Sequence, residues 1–231
     1  MWNKRRLTYL CLTISVLILA TMPLNAYCTL TNLSPTADTW VESKNPDQNK
    51  GDDAKQHVRV ELDSQGQVTN LRRSYLKFDL SGLPTGVVIV SAVLHLYGTK
   101  IDAVPSAYQT TDGWTESGLT YANQPSPIGA FVADGVSESN QWYKWTITTY
   151  VASEFAGDKT LSLLMKFTTE SGNKQHFDFK SPSLEISYQG ISVVPEVPIG
   201  TIAVASIMAI AVAAYVGLTQ WHKRPMPALR S

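Results

Sequence analysis

Two sets of residues in this 231-residue chain have the chemistry to hold a ligand. The first is aromatic: Trp40, Trp114, Tyr121, Trp142, Tyr143 and Trp145. A flat ring face packs against the axial C–H groups of a sugar while polar neighbours take its hydroxyls. The competing role for each ring is the core, where burying one is worth a few kcal/mol. Trp142 and Trp145 point to opposite faces if their stretch is a strand, so phase admits at most one of them to the core. Trp114 and Tyr121 rank first as ligand contacts because both lie in loop-like sequence, followed by Trp142 and Trp40.

The second set is rich in oxygen donors. Asp47-Gln48-Asn49-Lys50-Gly51-Asp52-Asp53 concentrates them as calcium loops do, but its glycine falls one place late for an EF-hand. A solvated polar loop is the plain reading. A structural calcium on Asp47, Asn49 and Asp52, with Asp38 contributing from a neighbouring strand, is the alternative. Catalysis finds little support. His57, His95 and His176 stand singly, with neither a Gly-x-Ser-x-Gly elbow nor a two-His metal spacing. A glycosidase carboxylate pair is defined by distance in space, and no pair stands out in the sequence. The chain is therefore read as a non-enzyme.

Charge is segregated. All 19 acidic residues lie between Asp38 and Glu196, against 13 of the 19 basic ones, so this segment carries a net −6. That balance, without a basic stripe, argues against a nucleic-acid partner. The other basic residues flank two apolar runs. Lys4-Arg5-Arg6 precedes Leu7–Ala20, which reads as a signal peptide over 1–26; an uncleaved anchor and lipidation at Cys28 are the alternatives. Residues 197–218 are uncharged and precede Trp221-His222-Lys223-Arg224, as expected of a transmembrane helix with a cytoplasmic tail over 219–231. The expected localisation is the cell membrane, single-pass, with the domain at 29–190 extracellular and 191–196 as a linker.

The elements that must position the candidate residues read as strands. Leu76, Phe78 and Leu80 alternate with Tyr75, Lys77 and Asp79 until Ser81-Gly82-Leu83-Pro84 breaks the pattern. Val87–Gly98 follows as a longer strand. Further strands are expected at Thr36–Glu42, His57–Leu62, Ala107–Thr111, Gln141–Thr148, Leu161–Phe167, His176–Phe179 and Leu184–Tyr188, with one helical turn at Thr149–Phe155 capped by Thr149. Short strands with frequent turns and no long helical period predict an all-β, antiparallel, jelly-roll-like β-sandwich. Cys11 and Cys28 offer it no internal disulfide once a signal peptide is removed, so burial must hold it together.

Three blocks carry a family resemblance: Ala37-Asp38-Thr39-Trp40-Val41, Arg73–Pro84 and Ser91–Tyr97. Asp112-Gly113-Trp114-Thr115-Glu116, Leu119–Pro125 and Trp142–Thr148 follow in order. Together they resemble the DNRLRE domain, grouped with the family 96 carbohydrate-binding modules, over about Thr36 to Tyr188. The chain departs at Asp178–Pro182, where members often carry a Ser-Arg/Lys-Glu step, and at Tyr121, where Trp is commoner. The resemblance implies a secreted or surface β-sandwich that binds rather than reacts. Val194–Thr201 before the apolar run is similar to archaeal surface-protein tails of the Pro-Glu-Phe type, with Val197 where that motif has Phe. The function expected is a membrane-anchored module holding a polysaccharide or cell-wall glycan on aromatic platforms. A structural envelope or adhesion protein is the alternative.

Overall fold

The computed structural model describes residues 28–125 and 130–190. The expected signal peptide, linker, transmembrane helix and tail lie outside these residues. Among the described residues, no helix is long and apolar enough to cross a membrane.

Eleven strands form a single antiparallel sheet among the described residues. They are β1 (Cys28–Leu33), β2 (Ala37–Glu42), β3 (Gln56–Leu62), β4 (Val68–Asp79), β5 (Val87–Ile101) and β6 (Ser106–Gln109). The rest are β7 (Phe131–Asp134), β8 (Val136–Ser139), β9 (Trp142–Thr146), β10 (Thr160–Lys166) and β11 (Gln175–Gly190), with one helix, α1 (Thr148–Ala156), between β9 and β10. The hydrogen-bonded path runs β7-β6-β10-β4-β3-β11-β5-β9-β8, with β2 on β4 and β1 on β11.

The expected all-β, antiparallel class holds, and among the described residues the strands pair as one sheet. Strand β3 pairs with both long strands, β4 and β11, and so joins them in one continuous path. The two ends of the path, β7 and β8, are consecutive in the chain and separated only by Gly135. The sheet is nearly closed there. Gly135 is required at that seam, because a Cβ would lie 2.4 Å from Trp145 Cζ2 and 2.4 Å from Val104 Cγ1.

Alternation fixes which side faces in. Leu76 and Phe78 of β4, Leu161, Leu163 and Met165 of β10, Leu94 and Leu96 of β5, Trp145 of β9, and Phe177 and Phe179 of β11 are buried in one cluster. Tyr143 packs against it with its ring centroid 5.1 Å from that of Phe177, edge to face. The Asn140-Gln141 turn takes positive φ at both residues (46° and 70°), the two-residue hairpin geometry that matches strand twist, and so joins β8 to β9.

Three local expectations change. β11 is one strand where the sequence suggested two; a register shift between Lys180 and Ser183, with Ser181 at φ 53°, absorbs Pro182 without ending the pairing. α1 runs to nine residues rather than one turn. Thr149 does not cap it: no side chain caps the helix, and the Thr148 hydroxyl instead accepts a hydrogen bond from Ala92 N at 3.0 Å.

Candidate functional site

The outward face of β4 carries Arg73, Tyr75 and Lys77, and the segment from Thr110 to Pro125 lies over it. Trp114 and Leu119 from that segment bury themselves with Tyr75, Leu164 and Val41 in a second, smaller apolar cluster. Such a segment has no strand ladder of its own, so its polar groups must be met from the sheet and neighbouring loops. The Lys77 ammonium donates to the carbonyls of Asp112 (2.9 Å) and Trp114 (2.5 Å) and sits 4.4 Å from the Trp114 ring centroid. Asn49 donates its amide to the carbonyls of Glu116 (2.6 Å) and Leu119 (2.8 Å). Gln124 accepts from Tyr75 Oη and from Arg73 Nη1, each at 3.0 Å, and donates to Tyr121 O. Arg73 in turn forms a bidentate pair with Glu170 at 2.6 and 2.8 Å.

The segment encloses a cleft of about 280 Å³ lined by Thr111, Gly113, Trp114, Thr115, Leu119 and Asn123, among others. Small ligands bind in concavities that combine an apolar wall with a few polar groups. Trp114 is 5% exposed, and its indole N–H is buried without a hydrogen-bond partner among the described residues. The same holds for Thr110 Oγ1 and Asp112 Oδ1 at the start of the segment. The two other buried tryptophans differ. Trp40 donates to Asp53 Oδ2 at 2.9 Å and Trp145 to Pro105 O at 2.9 Å. A buried unmatched donor is costly unless a ligand or water completes it.

The four aromatic candidates do not form one platform. Trp114 and Tyr121 share the loop cluster, where Tyr121 is half-buried with the Arg73 guanidinium 5.7 Å from its ring centroid. Trp40 is buried on the other side of β2's register, flanked by Lys50 and Arg72, each 5.0 Å from its ring centroid. Trp142 is half-buried on the outer face of β9, edge to face with Tyr97 at 5.4 Å, while Trp145 faces the core. Phase therefore sorted that pair as expected.

The oxygen-rich loop is also divided. Asp47 and Asp52 are exposed, and Asn49 spends its amide on the cleft segment. Asp38 is separate from them: its backbone N–H donates to Glu116 Oε2 at 3.1 Å, and its Oδ1 accepts from Gln56 Nε2 at 3.1 Å. Burial first, and the nearby Glu116 charge second, hold the Asp38 carboxyl above the usual carboxylate range. Among the described residues, no three of His, Cys, Asp and Glu come together as a metal-holding group. Sequence reasoning missed Lys77, Gln124 and Glu116. Lys77 was visible as a polar-face residue in an alternating strand, but Gln124 and Glu116 acquire roles only from chain-distant contacts.

The single histidines are structural in placement. His57 and Arg59 on β3 both meet Asp178 on β11, the histidine at 2.9 Å and the guanidinium in a close bidentate pair. Burial pushes the Asp178 carboxyl up, but hydrogen bonds from His57 and Arg59 and their charges outweigh it and hold it well below the usual range. His176 pairs with Asp102 at 3.0 Å, and His95 with Glu138 at 3.3 Å.

Comparison with known proteins agrees with the residue blocks. The model of carbohydrate-binding module family 96 matches residues 29–188, more than half of the chain. No curated protein matches it.

Proposed function

The chain belongs to carbohydrate-binding module family 96, and on that premise we propose that it binds a polysaccharide or cell-wall glycan in the Trp114 cleft. Modules of this kind bind carbohydrate without catalysis. The observation that carries the choice of surface is the buried, unpaired indole N–H of Trp114 beside an open cleft. A sugar hydroxyl accepting that hydrogen bond would satisfy the group, with Thr111, Thr115 and Asn123 placed to exchange further hydrogen bonds. The Trp114 ring and Leu119 supply the apolar wall. Tyr121, within the segment, packs its ring on the Arg73 guanidinium and accepts a hydrogen bond at its carbonyl from Gln124.

The same reading places the module at the cell surface, with 197–218 as its membrane anchor. That part is supported by the uncharged run and its basic flank. The test is a glycan array with the detergent-solubilised full chain and its Trp114→Ala variant. Binding that the variant loses while still melting cooperatively supports the cleft. Equal binding by both moves the site elsewhere, with Trp142 and Tyr97 the next surface to alter. The second reading, envelope adhesion through protein contacts, is favoured by the burial of Trp40 and Trp145, which leaves fewer rings for sugar. Absence of binding across a broad array would make it the better account.

A further inference from the structure

The residues that line the Trp114 cleft are all uncharged: threonines and glycines, with Trp114, Leu119, Asn123 and Pro125. Two cations come near, and both are committed elsewhere. The Lys77 ammonium donates to Asp112 O at 2.9 Å and Trp114 O at 2.5 Å, with the Trp114 ring centroid 4.4 Å away. Arg73 gives Nε and Nη2 to Glu170 and Nη1 to Gln124. The segment itself contributes two carboxylates, Asp112 and Glu116. The Asp112 charge is offset by Lys77, which it holds toward its charged form. Glu116 has no such partner. Its Oε2 accepts from the neutral Asp38 N–H at 3.1 Å, and it takes part in no ion pair among the described residues.

We propose that the cleft takes uncharged sugars and discriminates against uronates and sulfated sugars, with Glu116 setting that preference. This inference rests on the reading of the cleft as the sugar site. A carboxylate or sulfate sheds water on entering a cleft and needs a charged donor such as Arg or Lys in return. Here the donors are neutral: the unpaired Trp114 indole N–H and the threonine hydroxyls. A sugar hydroxyl suits them, because it can accept from the indole while giving its own proton to a threonine oxygen. An anion can only accept, so it would leave the threonine lone pairs unmatched and face the Glu116 charge as well.

Size and long-range charge point the same way. A cleft of about 280 Å³ lies at the lower edge of the roughly 300–1,000 Å³ usual for ligand pockets, so it grips a short stretch of chain rather than a flat polymer face. The segment from Asp38 to Glu196 carries a net −6, which slows the approach of polyanions at low salt.

The experiment is an array of neutral glycans, each beside its uronate or sulfated counterpart of the same linkage. It is probed with the detergent-solubilised full chain and its Trp114→Ala and Glu116→Gln variants. The hits expected are neutral members that Trp114→Ala loses, with their charged counterparts at least about tenfold weaker in about 50 mM salt. Affinity for a neutral hit should stay within about twofold up to about 500 mM salt, since no charge is exchanged. Glu116→Gln keeps shape and removes charge, so it should narrow the neutral-to-charged ratio about threefold at low salt. A merely loosened segment would weaken both members alike and leave that ratio where it was. Charged members bound through Trp114 as tightly as neutral ones overturn the inference, as does a ratio that Glu116→Gln leaves unmoved. No hit at all, or hits indifferent to Trp114→Ala, defeats the cleft as the sugar site itself, so the two failures are told apart.

Discussion

Trp145 and Trp114 are both buried, yet they stand in opposite relations to the fold. Trp145 sits under the seam where the sheet closes, 0% exposed, packed edge to face against Phe177 and donating its N–H to Pro105 O. Nothing about it is left to satisfy. Trp114 sits on the outer side of the same sheet, under a segment held by side-chain hooks, with its N–H unmatched beside a cleft. The two rings are alike in burial and differ in the state of the polar atom, matched in Trp145 and unmatched in Trp114.

The largest expected effect falls on the closed side. Trp145→Ala should lower unfolding free energy by about 3–5 kcal/mol, the range for removing a large ring from a packed interior. Urea denaturation followed by far-UV circular dichroism measures it. A loss no larger than that of Trp114→Ala would erase the distinction drawn here.

Acid should separate the two regions by sign. Asp178, which ties β3 to β11, has a folded-state pKa below its unfolded value. Its stabilisation is complete above the unfolded pKa of about 3.9 and is lost as pH falls through and below that value. Asp38, beside the cleft segment, is shifted the other way. The contribution it makes is present below its unfolded pKa and lost as pH rises through the folded one. Asp178→Asn should therefore cost about 1–3 kcal/mol at neutral pH, by removing the charge and one of the two acceptor oxygens that Arg59 and His57 share. It should also flatten the stability decline between pH 5 and 3. Asp38→Asn should steepen that decline relative to the parent by removing the opposing contribution. Denaturant midpoints across this range decide it, and parallel profiles for the two variants would refute the opposite signs.

Two glycines test the same contrast through overpacking. Gly135→Ala drives a methyl into Trp145 and Val104, and Gly51→Ala drives one into Glu116, whose backbone oxygen is the nearest atom. Each should cost about 1–3 kcal/mol. Only Gly51→Ala should weaken glycan binding per folded molecule, since only it displaces the cleft segment. Titration calorimetry with an array-identified glycan would show this, and equal affinities in the two variants would sink the link between that segment and the ligand.

How far the sequence reached depended on whether a residue's role is set locally. Period-2 alternation at Leu76-Lys77-Phe78 and Leu161–Met165 identified β4 and β10, because one face of each is wholly core. It missed β7 and β8, which are short, mostly exposed and follow no alternation. It missed β1 because its residues are largely exposed on an edge strand. Pro182 suggested a break that a bulge instead absorbs. Trp114 and Tyr121 lie outside the strands, as their sequence surroundings indicate, and Trp40, also a candidate contact, is buried on β2. Glu116 beside Asp38 could not be read at all, since the pair is 78 positions apart and only the packing of the Thr110–Pro125 segment over β4 and β2 joins them.

The smallest effect on stability is also the sharpest test. Trp114→Phe keeps an aromatic wall and removes an N–H that makes no hydrogen bond in the fold, so it should change stability by only about 1 kcal/mol through lost ring area. Trp145→Phe should cost about 1–3 kcal/mol more, because it strands Pro105 O and leaves space under the seam. If the Trp114 donor is reserved for ligand, the ranking inverts for glycan affinity. Trp114→Phe should weaken binding roughly 2–10-fold, the worth of one neutral hydrogen bond, while folded Trp145→Phe binds as the parent does. Unchanged affinity in Trp114→Phe would mean that water completes the indole in the bound state, and the cleft would then have to be read as a wall without a donor.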